Sequence, residues 1–226
     1  MCDLLNLKAI VFDFDGTIAR LTIDFAAMRR RVLAHLQSLA IAPEGLGHLY
    51  VLEMIAAGKQ EVSKYLPGYE DDYERQAMSL IRLMEVAAAK RGSLFPGIRT
   101  LFSTLKVRGV RTGVVTRNCR EAVGVVFPDI GVFVDCVLTR DDTPHVKPHP
   151  GHLKEVLAAL ALPPREAAMV GDHRMDMTLA KEVGVFAVGV LTGHDTAVEL
   201  TQAGADLILP AASALTGIFA GGPPAA

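Results

Sequence analysis

Apolar and polar positions follow two different rhythms along this chain, and the change of rhythm divides it. Four apolar residues, Ala9-Ile10-Val11-Phe12, run without a polar break into Asp13-Phe14-Asp15-Gly16-Thr17. So short an unbroken run, stopped by a glycine, predicts a strand buried on both faces. From Asp24 to Arg91 the apolar spacing changes to three and four, as in Phe25, Met28, Val32, Leu36 and Leu39. It returns in Ala77, Leu80, Leu83, Met84 and Ala87, with Arg75, Arg82 and Glu85 on the opposite side. That is the helical period, and it predicts a small bundle broken at Ala42-Pro43-Glu44-Gly45 and at Leu66-Pro67-Gly68.

Beyond Gly92 short apolar runs and helical stretches alternate. The pattern predicts strands over 111–116, 134–139, 167–171, 186–191 and 206–209. Helices are predicted over 98–108, from Arg120, over 151–162 with Leu153, Val156, Leu157 and Leu160 inward, over 175–183 and over 212–219. Phe95-Pro96-Gly97 opens the first of these helices and Gly109 closes it. Such alternation predicts an α/β fold, a Rossmann-like parallel sheet flanked by helices, with an inserted all-α domain. The expected domains are an α/β core of 1–19 and 92–220, a helical insertion of 20–91 and a disordered tail of 221–226. An insertion rooted directly after Asp15 can act as a lid that excludes water and chooses substrates.

Composition narrows the setting. The apolar fraction of 50% is high, yet no uninterrupted apolar run approaches the about 18 residues that span a membrane. The N-terminal stretch has no basic segment, apolar segment or small-residue cleavage site of the secretory kind, so a cytoplasmic location is expected. Three cysteines, Cys2, Cys119 and Cys136, are odd in number and lack metal-type spacing. They are read as free thiols, with Cys119 a small buried hydrophobe. A formal charge of −2 gives no basic field for a polyanion, which argues against nucleic acid as a partner. Oligomeric state is not read from this pattern.

Chemistry gathers at the predicted strand ends. Asp13 and Asp15 stand two apart where the first strand runs out; an extended backbone points both the same way, and the pair invites a cation. A plain Asp-Gly turn explains the same residues. Thr116-Arg117-Asn118 offers a hydroxyl, an amide and a carboxamide at a helix start, where anions are favoured; Asn118 also reads as an ordinary helix cap. Lys147, between His145-Val146 and Pro148-His149-Pro150, is a cation in a proline-stiffened stretch, able to hold a phosphoryl oxygen as a point charge. A metal cluster of His145, His149 and His152 is read against, since neither cysteines nor paired acids accompany them. Gly171-Asp172 closes a buried strand, and Asp176 returns to the same helical face; capping by Asp172 is the alternative.

These four ordered segments, Asp13-Phe14-Asp15-Gly16-Thr17, Thr116, Lys147-Pro148 and Gly171-Asp172 with Asp176, resemble the motifs of the haloacid dehalogenase-like hydrolase superfamily. The insertion is similar to the superfamily's C1 helical cap, and the chain most resembles the phosphoglycolate phosphatase-like group. The resemblance implies an Mg²⁺-dependent phosphatase acting on a small phosphorylated metabolite. Asp13 would be the nucleophile that becomes an aspartyl-phosphate. Asp15 would protonate the leaving oxygen and later deprotonate water. Thr116, with Arg117 and Asn118 beside it, would bind phosphoryl oxygens, and Lys147 would neutralise charge there. Mg²⁺ would be held by Asp13, the Asp15 carbonyl and Asp172, supported by Asp176. The acid at Asp15 separates phosphatases and phosphomutases from dehalogenases, which lack it. A phosphomutase of the β-phosphoglucomutase kind is the enzymatic alternative, and a phosphometabolite-binding protein the non-catalytic one. Substrate selection is expected from the insertion, with Arg20, Arg29, Arg30 and Arg31 as candidates for a substrate carboxylate or, alternatively, a solvated face.

Overall fold

The computed structural model describes residues 4–42 and 44–221. Cys2, Pro43 and positions 222–226 of the expected tail lie outside the described residues. The elements in order are β1 (Ala9–Phe12), β2 (Ala19–Arg20), α1 (Phe25–Ser38), α2 (Val51–Tyr65), α3 (Glu70–Ala89), β3 (Ser93–Leu94), α4 (Ile98–Val107), β4 (Arg111–Val115), α5 (Arg120–Val126), α6 (Ile130–Phe133) and β5 (Cys136–Leu138). There follow α7 (Gly151–Ala159), β6 (Ala167–Gly171), α8 (Arg174–Val183), β7 (Phe186–Val190), α9 (Ala197–Gln202), β8 (Leu207–Leu209) and α10 (Leu215–Gly221). Gly221, expected in the tail, ends α10. Contacts divide the chain into one unit of Met1–Leu21 with Gly92–Ala226 and another of Thr22–Arg91.

Six strands form one parallel sheet in the order β5-β4-β1-β6-β7-β8. The expected Rossmann-like α/β sheet is therefore what forms. β1 is central because it is apolar on both faces: Ala9, Ile10, Val11 and Phe12 are all fully buried. It pairs with β4 (Phe12↔Val114) and with β6 (Phe12↔Val170), so three carboxyl ends lie side by side. The chain runs outward from β1 through β4 to β5, then crosses to β6 and runs outward the other way. Such a reversal opens a crevice beyond the strand ends, the usual place for a ligand in open α/β sheets.

One face carries the cluster of Val11, Val115, Leu153, Val156, Met169, Met177 and Ala180. Leu153, Val156, Leu157 and Leu160 are all buried, as their spacing requires. On the other face Phe12 meets Phe102 edge-on at 5.2 Å between ring centroids. Gly113 lets α7 close on β4: a Cβ there would come within 2.5 Å of Val156 Cγ1.

Three features escaped the pattern reading. β2 and β3 form a two-residue antiparallel ribbon, Ala19↔Leu94 and Arg20↔Ser93, too short for any periodicity to register. α6 is one turn. α9 has a sequence signal that was missed: Thr196 and Glu199 form a reciprocal capping box.

The helical unit packs α1, α2 and α3 around Met28, Val32, Leu36, Met54, Ile55, Val62, Tyr73, Ala77 and Ile81. The expected phase of α3 is corrected. Its buried row is Tyr73, Ala77, Ile81, Glu85 and Ala88, whereas Leu83 is 62% exposed and Ala87 is exposed. Glu85, placed on the polar side by the sequence reading, is buried. Two apolar rows of similar strength run along this helix, and the aromatic ring and β-branched residue at Tyr73 and Ile81 bury more area than the Leu80–Leu83 row. Among the described residues no helix is long and apolar enough to cross a membrane.

Candidate active site

Each strand that borders the crevice ends at a residue with chemistry. β1 ends at Phe12, and the Asp13 backbone N–H still donates to Val170 O at 2.9 Å, anchoring the first acid to the neighbouring strand. Gly16 then turns the chain with φ of +81°, a conformation that favours glycine. β4 delivers Thr116, whose N–H bonds Leu138 O of β5 at 3.1 Å. β6 delivers Asp172, and the first turn of α8 returns Asp176 beneath it.

Lys147 joins these loops. Its Nζ lies 2.7 Å from Asp13 Oδ1 and 2.7 Å from Asp176 Oδ1, and its side chain is almost wholly buried. Its backbone is held at both ends. The N–H donates to His152 Nδ1 at 3.1 Å, and the carbonyl accepts from the Arg117 guanidinium. With Nδ1 accepting, His152 carries its proton on Nε2 and donates it to Leu138 O at 3.1 Å. Burial, with the Lys147 charge adding to it, lowers the His152 pKa to about 4, so this imidazole is neutral.

Asp13, Asp172 and Asp176 each offer a carboxylate oxygen within 4.8 Å of the others. Burial pushes the Asp13 pKa up to about 6, with Asp176 adding to the rise and Lys147 and the Phe14 N–H, 2.7 Å from Oδ1, opposing it. Burial and then repulsion from Asp13 and Asp176 push Asp172 up to about 8, against the pull of the Thr17 hydroxyl and Lys147. Burial works against the Lys147 charge, but Asp13 and Asp176 together hold its pKa above the usual lysine range. One ammonium thus serves three crowded carboxylates. The deficit of positive charge and the all-oxygen donor set fit a hard divalent cation.

The other expected site residues are distributed as follows. Thr116 is buried at the end of β4, its Oγ1 accepting from the Asn118 N–H at 3.1 Å, which leaves its own hydrogen to donate. The carboxylate of Asp15 lies outside the acidic cluster and accepts from the Leu21 N–H at 2.9 Å. Asp13 and Asp15, both past the end of β1 at Phe12, thus take different partners, Lys147 and the Leu21 N–H. Arg117 sends its guanidinium to the Lys147 carbonyl, beside Met175 Sδ at 4.0 Å. Asn118 is buried and is not the helix cap; α5 starts from Cys119, which makes no side-chain cap. Cys119 is fully buried, as expected. His145 and His149 stack at 4.3 Å while His152 turns inward, so the three histidines form no metal cluster among the described residues.

Several further contacts hold the acids and the segment that carries them. Thr17 Oγ1 donates to Asp172 Oδ1 at 2.9 Å. The loop after β7 adds the His194 N–H, 3.3 Å from Asp172 Oδ2, and Thr192 Oγ1, 2.6 Å from Gly16 O. The available signal was a buried apolar run ending in Leu191-Thr192-Gly193, a further strand terminus at the same sheet edge.

A family model described as "Haloacid dehalogenase-like hydrolase" matches residues 10–190. The chain is 30% identical over 190 residues to pyrophosphatase PpaX of Bacillus velezensis, covering 82% of this chain and 83% of that one. It is 26% identical over 197 residues to phosphoglycolate phosphatase of Pseudomonas putida, covering 83% and 71%. Among solved structures it is similar in fold to a hydrolase from Pseudomonas syringae, at TM-score 0.69 and 19% identity over 93% of this chain and 96% of that one.

Proposed function

We propose that this chain, which belongs to the haloacid dehalogenase-like hydrolase family, is an Mg²⁺-dependent phosphatase that cleaves a small phosphomonoester through an aspartyl-phosphate. Its kinship with phosphoglycolate phosphatase and pyrophosphatase supports hydrolytic release of a phosphoryl group as its chemistry. The observation that carries the reading is Lys147 held between Asp13 and Asp176 at 2.7 Å each, with Asp172 beside them.

Asp13 Oδ1 is engaged by Lys147 and by the Phe14 N–H, so Oδ2 is the oxygen assigned to attack on phosphorus. As that bond forms, the bond from phosphorus to the ester oxygen breaks, and the protonated Asp15 gives its proton to the departing alkoxide. Water then attacks phosphorus, Asp15 takes up its proton, and Asp13 is released with inorganic phosphate. Thr116 donates its hydroxyl hydrogen to a phosphoryl oxygen, and the Lys147 ammonium reduces the repulsion between two anions that must approach. Asp13, the Asp15 carbonyl and Asp172 would hold Mg²⁺, supported by Asp176, and the ion supplies charge neutralisation and orientation of the phosphoryl group. Arg117 and Asn118 are assigned to the phosphate site beside Thr116, Arg117 also bonding the Lys147 carbonyl.

The substrate is assigned to the phosphoglycolate class, a small phosphorylated metabolite in the cytoplasm. The helical segment Thr22–Arg91, which the chain enters shortly after Thr17, is assigned the choice among substrates. The test is release of phosphate from an aryl phosphate with Mg²⁺, with chelator, and with Asp13→Asn. Turnover should require the metal and be lost in the variant. Equal rates for wild type and Asp13→Asn sink the proposal, and a screen of phosphorylated metabolites then ranks substrates.

A further inference from the structure

We propose that the loop between β7 and α9, residues 191–196, is a positioning element for Asp172, with Thr192 and Asp195 as its positioning residues. The inference rests on reading Asp172 as a ligand of the divalent cation, and it assigns a role in cation binding to a segment outside the four motif segments.

The Asp172 carboxylate is enclosed by backbone from two loops. A Cβ on Gly16 would lie 2.3 Å from Asp172 Oδ2, and one on Gly193 would lie 1.7 Å from the same atom. Both positions must be glycine for the loops to close this far. The two oxygens are then fixed by different loops, Oδ1 by the Thr17 hydroxyl at 2.9 Å and Oδ2 by the His194 N–H at 3.3 Å. The Asp195 N–H adds a bond to the Asp172 carbonyl at 3.4 Å.

The loop is itself pinned at both ends. Thr192 Oγ1 donates to Gly16 O at 2.6 Å, tying it to the segment that carries Asp13 and Asp15. At the other end Asp195, its side chain wholly inaccessible to solvent, accepts from the Arg174 N–H at 2.6 Å and from the Arg174 guanidinium at 3.2 and 3.1 Å. Arg174 opens α8, the helix that carries Asp176. Between these pins, Gly193 and His194 have one place to lie, against Asp172. A ligand carboxylate held before the cation arrives loses less freedom on binding it, and partners of ligands commonly matter for that reason.

The experiment titrates Mg²⁺ alone into the purified full chain by calorimetry. It compares wild type, Thr192→Val, Thr192→Ser, Asp195→Asn and Asp172→Asn, and takes unfolding midpoints in chelator beside the titrations. Thr192→Val and Asp195→Asn should weaken Mg²⁺ binding about tenfold or more. Thr192→Ser keeps the hydroxyl and should bind within about twofold of wild type, a rescue that a merely structural role at this position would not produce. Wild-type affinity in Thr192→Val, or equal weakening in Thr192→Ser, overturns the inference alone. If Asp195→Asn does not fold in chelator, the two Thr192 variants decide the matter. Failure of the wild type to bind Mg²⁺, or wild-type binding by Asp172→Asn, overturns the reading of the site and the inference with it.

Discussion

The ammonium of Lys147 lies 2.7 Å from Asp13 Oδ1 where its side chain is only 3% exposed. A lysine so buried keeps its charge because Asp13 and Asp176 face it together, and removing it leaves two neighbouring carboxylates unneutralised in the interior. Lys147→Met should lower kcat by about 10²–10³, the usual loss for one preorganised electrostatic partner. Lys147→Arg should not restore it, because a planar fork does not fit a space shaped for a point charge. Steady-state rates on an aryl phosphate check this, and a Met variant with half of wild-type kcat would remove Lys147 from the mechanism.

His152 should make stability depend on pH. Its folded pKa of about 4 lies below the about 6.5 of an unfolded histidine. Between those values the unfolded chain binds a proton that the folded chain does not, so stability is full above about pH 6.5 and declines as pH falls towards 4, at up to about 1.4 kcal/mol per pH unit. His152→Gln should flatten that part of the profile. Urea unfolding of both proteins at pH 7 and pH 5 measures it; parallel profiles would show that another group is responsible.

Two glycines with similar backbones should behave differently. Gly16 and Gly109 have φ of +81° and +71°, but among the described residues a Cβ on Gly109 meets nothing within 4 Å whereas one on Gly16 strikes the Asp172 carboxylate. Gly109→Ala should cost about 1–2 kcal/mol of stability through its backbone alone and leave kcat unchanged. Gly16→Ala should also displace Asp172 and reduce Mg²⁺ affinity. Denaturation and metal titration of the two variants separate the strain they share from the clash that only one of them has.

In the helical unit Tyr73 is fully buried, stacked on His35 at 5.3 Å, and its hydroxyl has no hydrogen-bond partner among the described residues. Burial pushes its pKa up to about 12. Tyr73→Phe should therefore raise stability, by about 1 kcal/mol, since an unsatisfied buried hydroxyl is removed and the ring retained. Gly58→Ala, whose Cβ would meet the Tyr73 hydroxyl at 2.2 Å, should lower it by about 1–3 kcal/mol through overpacking. Thermal unfolding gives both signs, and a destabilised Tyr73→Phe would mean the hydroxyl is satisfied in solution.

The six strands of the sheet could be read from the chain because buried strands are short apolar runs closed by Gly, Asp or Thr, and that signal is local. The acids at the ends of β1 and β6 were visible for the same reason, as were the turn residues around α4. Strand order was not visible. That β1 lies between β4 and β6 depends on which apolar faces bury the most area together, a property of all the strands at once. Direction was not visible either. Asp13 and Asp15 share a spacing, yet one turns to Lys147 and the other to the Leu21 N–H once the strand has ended. In α3 two apolar rows compete, and only packing against α1 and α2 decides for Tyr73 and Ile81. The loop of Thr192 and Asp195 is legible only as the terminus of the β7 strand, and its contacts to Asp172 and Gly16 are not local. What the sequence by itself determined is the kind of the six sheet strands and of the longer helices, and the chemistry at the strand ends. Tertiary structure alone decided which ends meet, because contacts between Lys147, Asp13, Asp172 and Asp176 form across distant parts of the chain and exist only when the sheet does.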